Sequence, residues 1–284
     1  MNACVFYSHT FPANRLRCLT MPTRRQGSFR NKLLYALLAL MSPFCFGDRH
    51  LVAETPAEAP AKVTIFTGHD GPFHKWQETS AALQEALAAG KDFQVAVQTD
   101  VEWFVKPELL ETDLVVLNYC NWDRPGLSDA GKMGLLKYLA AGKGLAIVHF
   151  ANGAFQAALP CGPKGDWPEY RKICRRNWVW GKSGHDALGR FEVKVVDGHP
   201  ITKGLNSFHT VDELYCRQVG DEPITVLAVA ACKTTGREEP QAFVYNYDKA
   251  RVFQTTLGHS AESIRNPGAA ALIRRGSLWA AGKL

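Results

Sequence analysis

KGLAIVHFANG, residues 143–153, is a short apolar run that stops at His149 and passes into a turn of small and polar residues. Its length and its glycine boundary are those of a buried strand. In open α/β sheets the ligand crevice lies outside the carboxyl ends of the strands, so a strand's last side chain faces the ligand. His149 is therefore the first candidate site residue, although a histidine in this place can also simply end a strand and bond to backbone. Two other strand-like runs end the same way, VTIFTGH at His69 and RVFQTTLGH at His259.

Outward from this segment the chain alternates between strand-like and helix-like stretches. Ser128 is a suitable N-cap for a helix over 128–141 that stops at Gly142. Strands are expected at 62–67, 93–97 and 113–118, with a helix over 75–89 and a stop at Gly90. Strands alternating with helices of this length imply an α/β fold, a mostly parallel sheet with helices on both faces. The second half is less regular: a helix over 167–176, a half-buried strand at 190–196, another apolar run at 224–230, a hairpin of 241–247 and 250–256 through Asp248-Lys249, and a last helix over 267–281. About 220 residues suit one domain.

The first 32 residues carry six Arg or Lys and no acidic residue, and 33–46 is uncharged. Fourteen residues suit a signal-peptide core and are short for a membrane span, which needs about 20. The expected organisation is an export signal over 1–47, a Pro/Ala/Glu linker over 48–61 and one domain over 62–284, giving a periplasmic or secreted chain with no membrane span once matured. Cleavage after Gly47 or after Ala53 is equally compatible. Of the 33 basic and 27 acidic residues, seven and three fall in 1–61, so the remainder holds 26 against 24. That balance gives no dense basic face for nucleic acid. The one basic cluster, Arg171, Lys172, Arg175 and Arg176, reads as a solvated helix face. Cys120, Cys161, Cys174, Cys216 and Cys232 are odd in number and lack Cys-x-x-Cys spacing. They read as mostly free thiols, with a Cys161–Cys174 bridge as the alternative.

GHDGPFHKWQETS, DLVVLNYCNW, GKGLAIVHFANGAF, SGHDALGRFEV, GHPITKGL, TVDELY and EPQAFVYNYDKARVFQTTLGH occur in this order from residue 62 onward. Together they resemble the ThuA-like family, named for trehalose utilisation. The resemblance implies a flavodoxin-like sheet related to class I glutamine amidotransferases and a role in uptake and breakdown of disaccharides, whether as such or as 3-keto sugars. Amidotransfer by a thiol needs a cysteine on the elbow after a central strand, activated by an oriented histidine. Here His149 holds the elbow, and the carboxylate after His259 is Glu262, at His-x-x-Glu spacing. A thiol glutamine amidotransferase is not expected.

Two histidines at these places suggest either acid–base chemistry or a metal. Imidazoles can donate and accept protons near neutral pH. Neutral imidazoles also bind a divalent ion such as zinc, and His69, His149 and His259 are candidate ligands. The catalytic candidates are His69, His149, His259 and Asp212, with Glu213 beside Asp212 as its competitor. Asp70, His74, Trp76, Asn118, Asn152, His185 and Asp186 are candidates for binding a sugar, through ring stacking and hydroxyl hydrogen bonds. Helix capping, core packing and turn formation are their alternative roles. The expected function is that of an exported enzyme, hydrolase or lyase, acting on a small-molecule carbohydrate by histidine-assisted acid–base chemistry. Its rival is a sugar-binding module without catalysis, and a third reading is an interaction scaffold.

Overall fold

The structure, a computed structural model, describes residues 59–284. The expected export signal and all of the linker before residue 59 lie outside the described residues. Strand β1 (Ala61–Phe66), helix α1 (Trp76–Ala88), β2 (Phe93–Gln98), β3 (Leu114–Leu117), α2 (Asp129–Ala140) and β4 (Gly144–Val148) follow in turn. After a short helix α3 (Tyr170–Ile173) come β5 (Gly184–His185), β6 (Gly189–Val195), β7 (Phe208–Asp212), β8 (Tyr215–Cys216), β9 (Thr225–Cys232), β10 (Arg237–Tyr247) and β11 (Ala250–Thr255). Helices α4 (Ala261–Arg265) and α5 (Pro267–Ala280) close the chain.

The main sheet runs β2-β1-β3-β4-β11-β10-β9-β6-β7. Its first five strands are mutually parallel and in the flavodoxin order. The last four continue it antiparallel. Alternation along the parallel strands builds two cores. Leu114 and Val116 of β3 pack with Leu83 and Leu87 of α1 and Leu272 of α5, whereas Val115 and Leu117 pack with Leu135 and Leu139 of α2. Each such fully buried aliphatic side chain contributes about 1.5–3 kcal/mol, so the central strands need no polar face. The Ser128 hydroxyl caps α2 by accepting from Gly131 N at 3.2 Å, as the sequence suggested.

The segment 167–176 is the main departure. Only Tyr170–Ile173 is helical, and the basic side chains after it are not a solvated helix face. The Arg175 guanidinium lies 4.8 Å from the Tyr245 ring centre and donates to the Asn246 carbonyl at 2.9 Å. Arg176 donates to the Glu222 carbonyl at 2.9 Å. These arginines tie the segment to the antiparallel strands, and such long-range pairing leaves no periodic trace in sequence.

The antiparallel extension sets the site. Because β7 runs in the same sense as β11, its carboxyl end falls on the same edge as those of β1, β4 and β11. Asp212, the last residue of β7, accepts backbone N–H groups of Gly258 at 2.8 Å and His259 at 3.1 Å. The chain after β7 is thereby brought against the chain after β11.

Candidate active site

At the end of β4 the backbone turns sharply and His149 takes φ 47°. A left-handed conformation in a non-glycine residue costs about 1–3 kcal/mol and persists where its surroundings enforce it. The enforcing contact is visible: His149 Nδ1 donates to the Thr256 carbonyl at 2.6 Å. A carbonyl can only accept, so Nδ1 carries the proton and Nε2 of the neutral ring presents a lone pair. Burial, followed by the neighbouring His74, holds the His149 pKa well below the ordinary histidine value.

Around that lone pair stand three other groups. His74 Nε2 is 3.1 Å away, the Tyr215 hydroxyl 2.9 Å and Glu213 Oε2 3.8 Å. Glu213 Oε2 is also 3.1 Å from His259 Nδ1. One donor atom each from His74, His149, Glu213 and His259 lies within 4.8 Å of the others. His259 Nδ1 is buried and, despite the short contact, off the line of a hydrogen bond to Glu213. His74 Nδ1 is likewise buried and misaligned with Asp70 Oδ1 at 3.3 Å.

These residues fit a divalent ion of the zinc class. Tetrahedral coordination with bonds of about 2.0–2.2 Å separates neighbouring ligand atoms by roughly 3.3 Å; three of the separations here are 3.1, 3.1 and 3.8 Å and the others lie within 4.8 Å, so the wider pairs would have to draw in around an ion. One outer contact fits as well: the Thr256 carbonyl orients His149, the kind of support that metal-ligating imidazoles ordinarily have, whereas Asp70 lies 3.3 Å from His74 Nδ1 without an aligned hydrogen bond.

The charges of the cluster are coupled. Burial would raise Glu213, but contact with His259 and the fields of His185 and His74 outweigh it and hold the carboxyl below its usual value. The same contact with Glu213 raises His259. Tyr215 is pushed far up by burial and by the Glu213 charge, so it remains a hydroxyl. Two members of the cluster, His74 and Glu213, line a cavity of about 320 Å³ together with Phe73, Phe150, Trp178, Trp180, His185 and Tyr215.

Residues 62–280 match the model of the ThuA family, described as trehalose utilisation. The chain belongs to the ThuA family. A ThuA-like protein from Parabacteroides merdae is 28% identical, with TM-score 0.67 over 79% of this chain and 91% of that one. Another from Bacteroides uniformis is 17% identical, with TM-score 0.62 over 80% and 94%. A β-galactosidase from Rahnella shares the fold at TM-score 0.50 and 17% identity, over 75% of this chain and 31% of that one. No functionally curated protein matches the chain.

In this ThuA chain the expected trio of histidines is brought together only in part. His149 and His259 share the cluster, and the third imidazole is His74, which sequence reading placed among the sugar contacts. His69 is elsewhere: β1 ends at Phe66, and Gly68 at φ 111° redirects the chain. His69 Nε2 meets Asp123 Oδ1 at 2.7 Å beside a separate hollow of about 560 Å³. That hollow is larger than the cavity over the cluster, but no comparable set of donor atoms converges on it among the described residues.

Asp212 is also displaced from its expected catalytic place. It is buried behind the cluster, where its carboxylate accepts three backbone N–H groups, those of Glu213, Gly258 and His259. Burial raises its pKa to about 6 despite those bonds. Neighbouring residues of an extended chain face opposite ways, and Glu213 is the carboxylate that reaches the cavity. Tyr215, two residues on, joins it and was missed; the alternation in TVDELY was the available signal.

Of the expected sugar contacts, His185 lines the cavity, with Nδ1 donating to the Asp186 carbonyl at 2.8 Å. Asp70 Oδ1 lies 3.3 Å from His74 Nδ1. Trp76, at the start of α1, is outside the cavity wall. Asn118 is spent on structure, donating to Thr79 Oγ1 and Ser80 Oγ at 3.0 Å each and so joining β3 to α1. Asn152 donates to Gln218 Oε1 at 2.6 Å and to the Arg176 carbonyl at 3.2 Å. Asp186 is turned toward the β9–β10 connection, where Lys233 N and Thr234 N donate to it at 2.7 and 2.9 Å. The five described cysteines are free, without a Cys161–Cys174 bridge.

Proposed function

We propose that this protein is a metal-dependent hydrolase or lyase of carbohydrate metabolism, acting on a disaccharide or its keto derivative in the cavity above His74, His149, Glu213 and His259. The observation that carries the reading is the convergence of these four donors within 4.8 Å, with the buried His259 Nδ1 facing Glu213 and satisfied by no protein atom. Orphaned polar atoms in a native interior call for an explanation, and an ion is a sufficient one.

An ion held there would supply Lewis-acid polarisation of a sugar oxygen. The chain's own groups would handle protons and orientation. The Tyr215 hydroxyl, 2.9 Å from His149 Nε2, is placed to donate a hydrogen bond to a bound oxygen. His185, with Nδ1 committed to the Asp186 carbonyl, keeps Nε2 as a basic nitrogen at the cavity wall. Positioned acid–base groups of this kind contribute about 10²–10⁴-fold. Phe150 and Trp178 give the cavity an apolar wall beside them.

Metal analysis of the purified protein, with an activity screen on 3-keto-disaccharides before and after chelation, tests the reading. One zinc-class ion per chain and turnover lost on chelation are expected. Absence of any tightly bound divalent ion would overturn it. An ion without turnover would favour the sugar-binding module, which the exposed aromatic residues at the cavity mouth would also suit. Export through the leader is part of the proposal, and sequencing the N-terminus of the native protein would show a mature chain beginning between residues 48 and 62.

A further inference from the structure

The outer part of the cavity has a different chemistry from its floor. Trp180 is 54% and Phe73 59% exposed, unusually open for side chains of their size. Each meets Trp122, with ring centres 5.6 Å apart in both pairs and planes at 67° and 87°. The result is a contiguous aromatic rim. Clustered exposed aromatics of this kind mark binding surfaces more often than they mark packing.

The rim is held in place. Trp180 rides on a tight turn in which Lys182 N and Ser183 N donate to the Val179 carbonyl at 3.0 and 2.9 Å. Ser183 Oγ accepts from Val179 N at 2.9 Å and donates to the Arg217 carbonyl at 3.1 Å. Gly181, at φ 76°, permits the reversal. The indole is therefore presented on a fixed backbone. It also walls a second hollow of about 340 Å³ beyond the main cavity, so ring surface is open outside the packed wall.

The rim stands off from the ionisable floor. His74 contacts Phe150 at 5.1 Å between ring centres, and Phe150 contacts Trp122 at 6.1 Å. One ring bound over the donors would leave a linked second ring among Phe73, Trp122 and Trp180. We infer that this rim is a subsite for the second, non-reacting pyranose ring of a disaccharide, stacked on Trp180; the inference rests on the sugar reading above. Aromatic faces suit the apolar face of such a ring, while its hydroxyls remain in water at the mouth.

The test uses the full chain loaded with zinc and calorimetric titration with α,α-trehalose, maltose and glucose, with metal content measured in parallel. Trp180→Ala is expected to weaken both disaccharides about tenfold while leaving glucose binding, metal content and melting temperature unchanged. Trp180→Phe should restore most of the loss, and Phe73→Ala should show a smaller loss with the same selectivity. An equal effect on glucose, no effect on the disaccharides, or no disaccharide binding by the unaltered protein would overturn the subsite. Metal retained with no dependence on Trp180 removes the subsite alone. Disaccharide binding that depends on Trp180 in a protein unable to bind metal removes the metal reading and keeps the subsite.

Discussion

The Nδ1 atom of His149 lies 2.6 Å from the carbonyl oxygen of Thr256, which joins the elbow after β4 to the end of β11 and decides which ring nitrogen faces His74, Tyr215 and Glu213. The same contact fixes a tautomer and braces a backbone turn at φ 47°. Replacement of His149 therefore separates chemistry from folding if the new residue tolerates that turn. His149→Asn, which accepts the left-handed region more readily than most residues, should retain a cooperative melt. It should lose tight zinc binding and reduce turnover by at least about 10². Unchanged metal content in a folded His149→Asn protein would remove His149 from the ligand set.

His69 supplies the opposite case. It pairs with Asp123, whose side chain is 61% exposed, and sits outside the converging donors. His69→Ala should leave zinc stoichiometry unchanged and reduce turnover by less than about tenfold, whereas His74→Ala should behave as a ligand loss. Parallel metal analyses of the two variants decide the matter. The reverse ranking would restore His69 to the place that the sequence pattern suggested.

That contrast shows where the sequence was legible. The parallel strands were readable because each is a short aliphatic run bounded by turn residues, and β3 and β4 fall where the apolar runs lie. His149 was readable for the same reason, since it directly follows β4. His69 and His259 follow their strands by three and four residues, and the glycines before them, Gly68 at φ 111° and Gly258 at φ 126°, set their directions. No periodicity extends across such turns. Glu213 and Tyr215 were less visible still, because β7 reaches the site only through antiparallel pairing and its stapling to the chain after β11.

The metal-free protein should depend on pH in a direction fixed by the cluster. His149 has a folded pKa depressed by burial and by His74, so its neutral form favours the folded state. That contribution is present above the ordinary value of 6.5 and is lost as pH falls below it. Glu213 is lowered and His259 raised. Their ion pair accordingly adds stability between the two folded values, losing it in acid through Glu213 and in alkali through His259. Thermal melts of chelated protein should fall below about pH 6.5 and recover when zinc is added near neutrality. A flat profile in acid would contradict the neutral, buried His149.

The thiols should be dispensable. Cys120 and Cys174 are fully buried, and burial raises both of them far above the ordinary thiol value. Cys161 is partly exposed but also raised, mainly by burial, and accepts from Asn121 Nδ2 at 3.4 Å. A thiolate nucleophile needs the opposite shift. Cys161→Ser should keep metal content and turnover within about twofold of the parent, consistent with surface-near changes that leave ligands alone. Loss of turnover protected by substrate during alkylation would reopen the thiol route.

Asp212 tests whether the cluster depends on support from behind. Its carboxylate receives the backbone N–H groups of Glu213 at 2.9 Å, Gly258 at 2.8 Å and His259 at 3.1 Å, so one buried side chain holds the segments that carry two of the four donors. An asparagine of nearly the same shape offers one acceptor oxygen and places an amide donor where the other oxygen stood, opposing an N–H. Leaving one such buried group unsatisfied costs about 1–3 kcal/mol, which a domain of this size should survive. Outer-contact losses at metal sites typically cost about 10–100-fold in metal affinity or activity. Asp212→Asn should therefore fold, melt at a lower temperature and bind zinc about 10–100-fold more weakly, with Glu213→Gln in the same background adding less than it does alone. Its own ionisation gives a second readout. With a folded pKa of about 6, raised by burial, Asp212 favours the folded state when protonated, and that contribution is lost as pH rises through 6. Asp212→Asn should remove this component from the pH dependence of stability. A variant with unchanged zinc affinity and an unchanged pH profile would mean that Asp212 supports neither Glu213 nor His259.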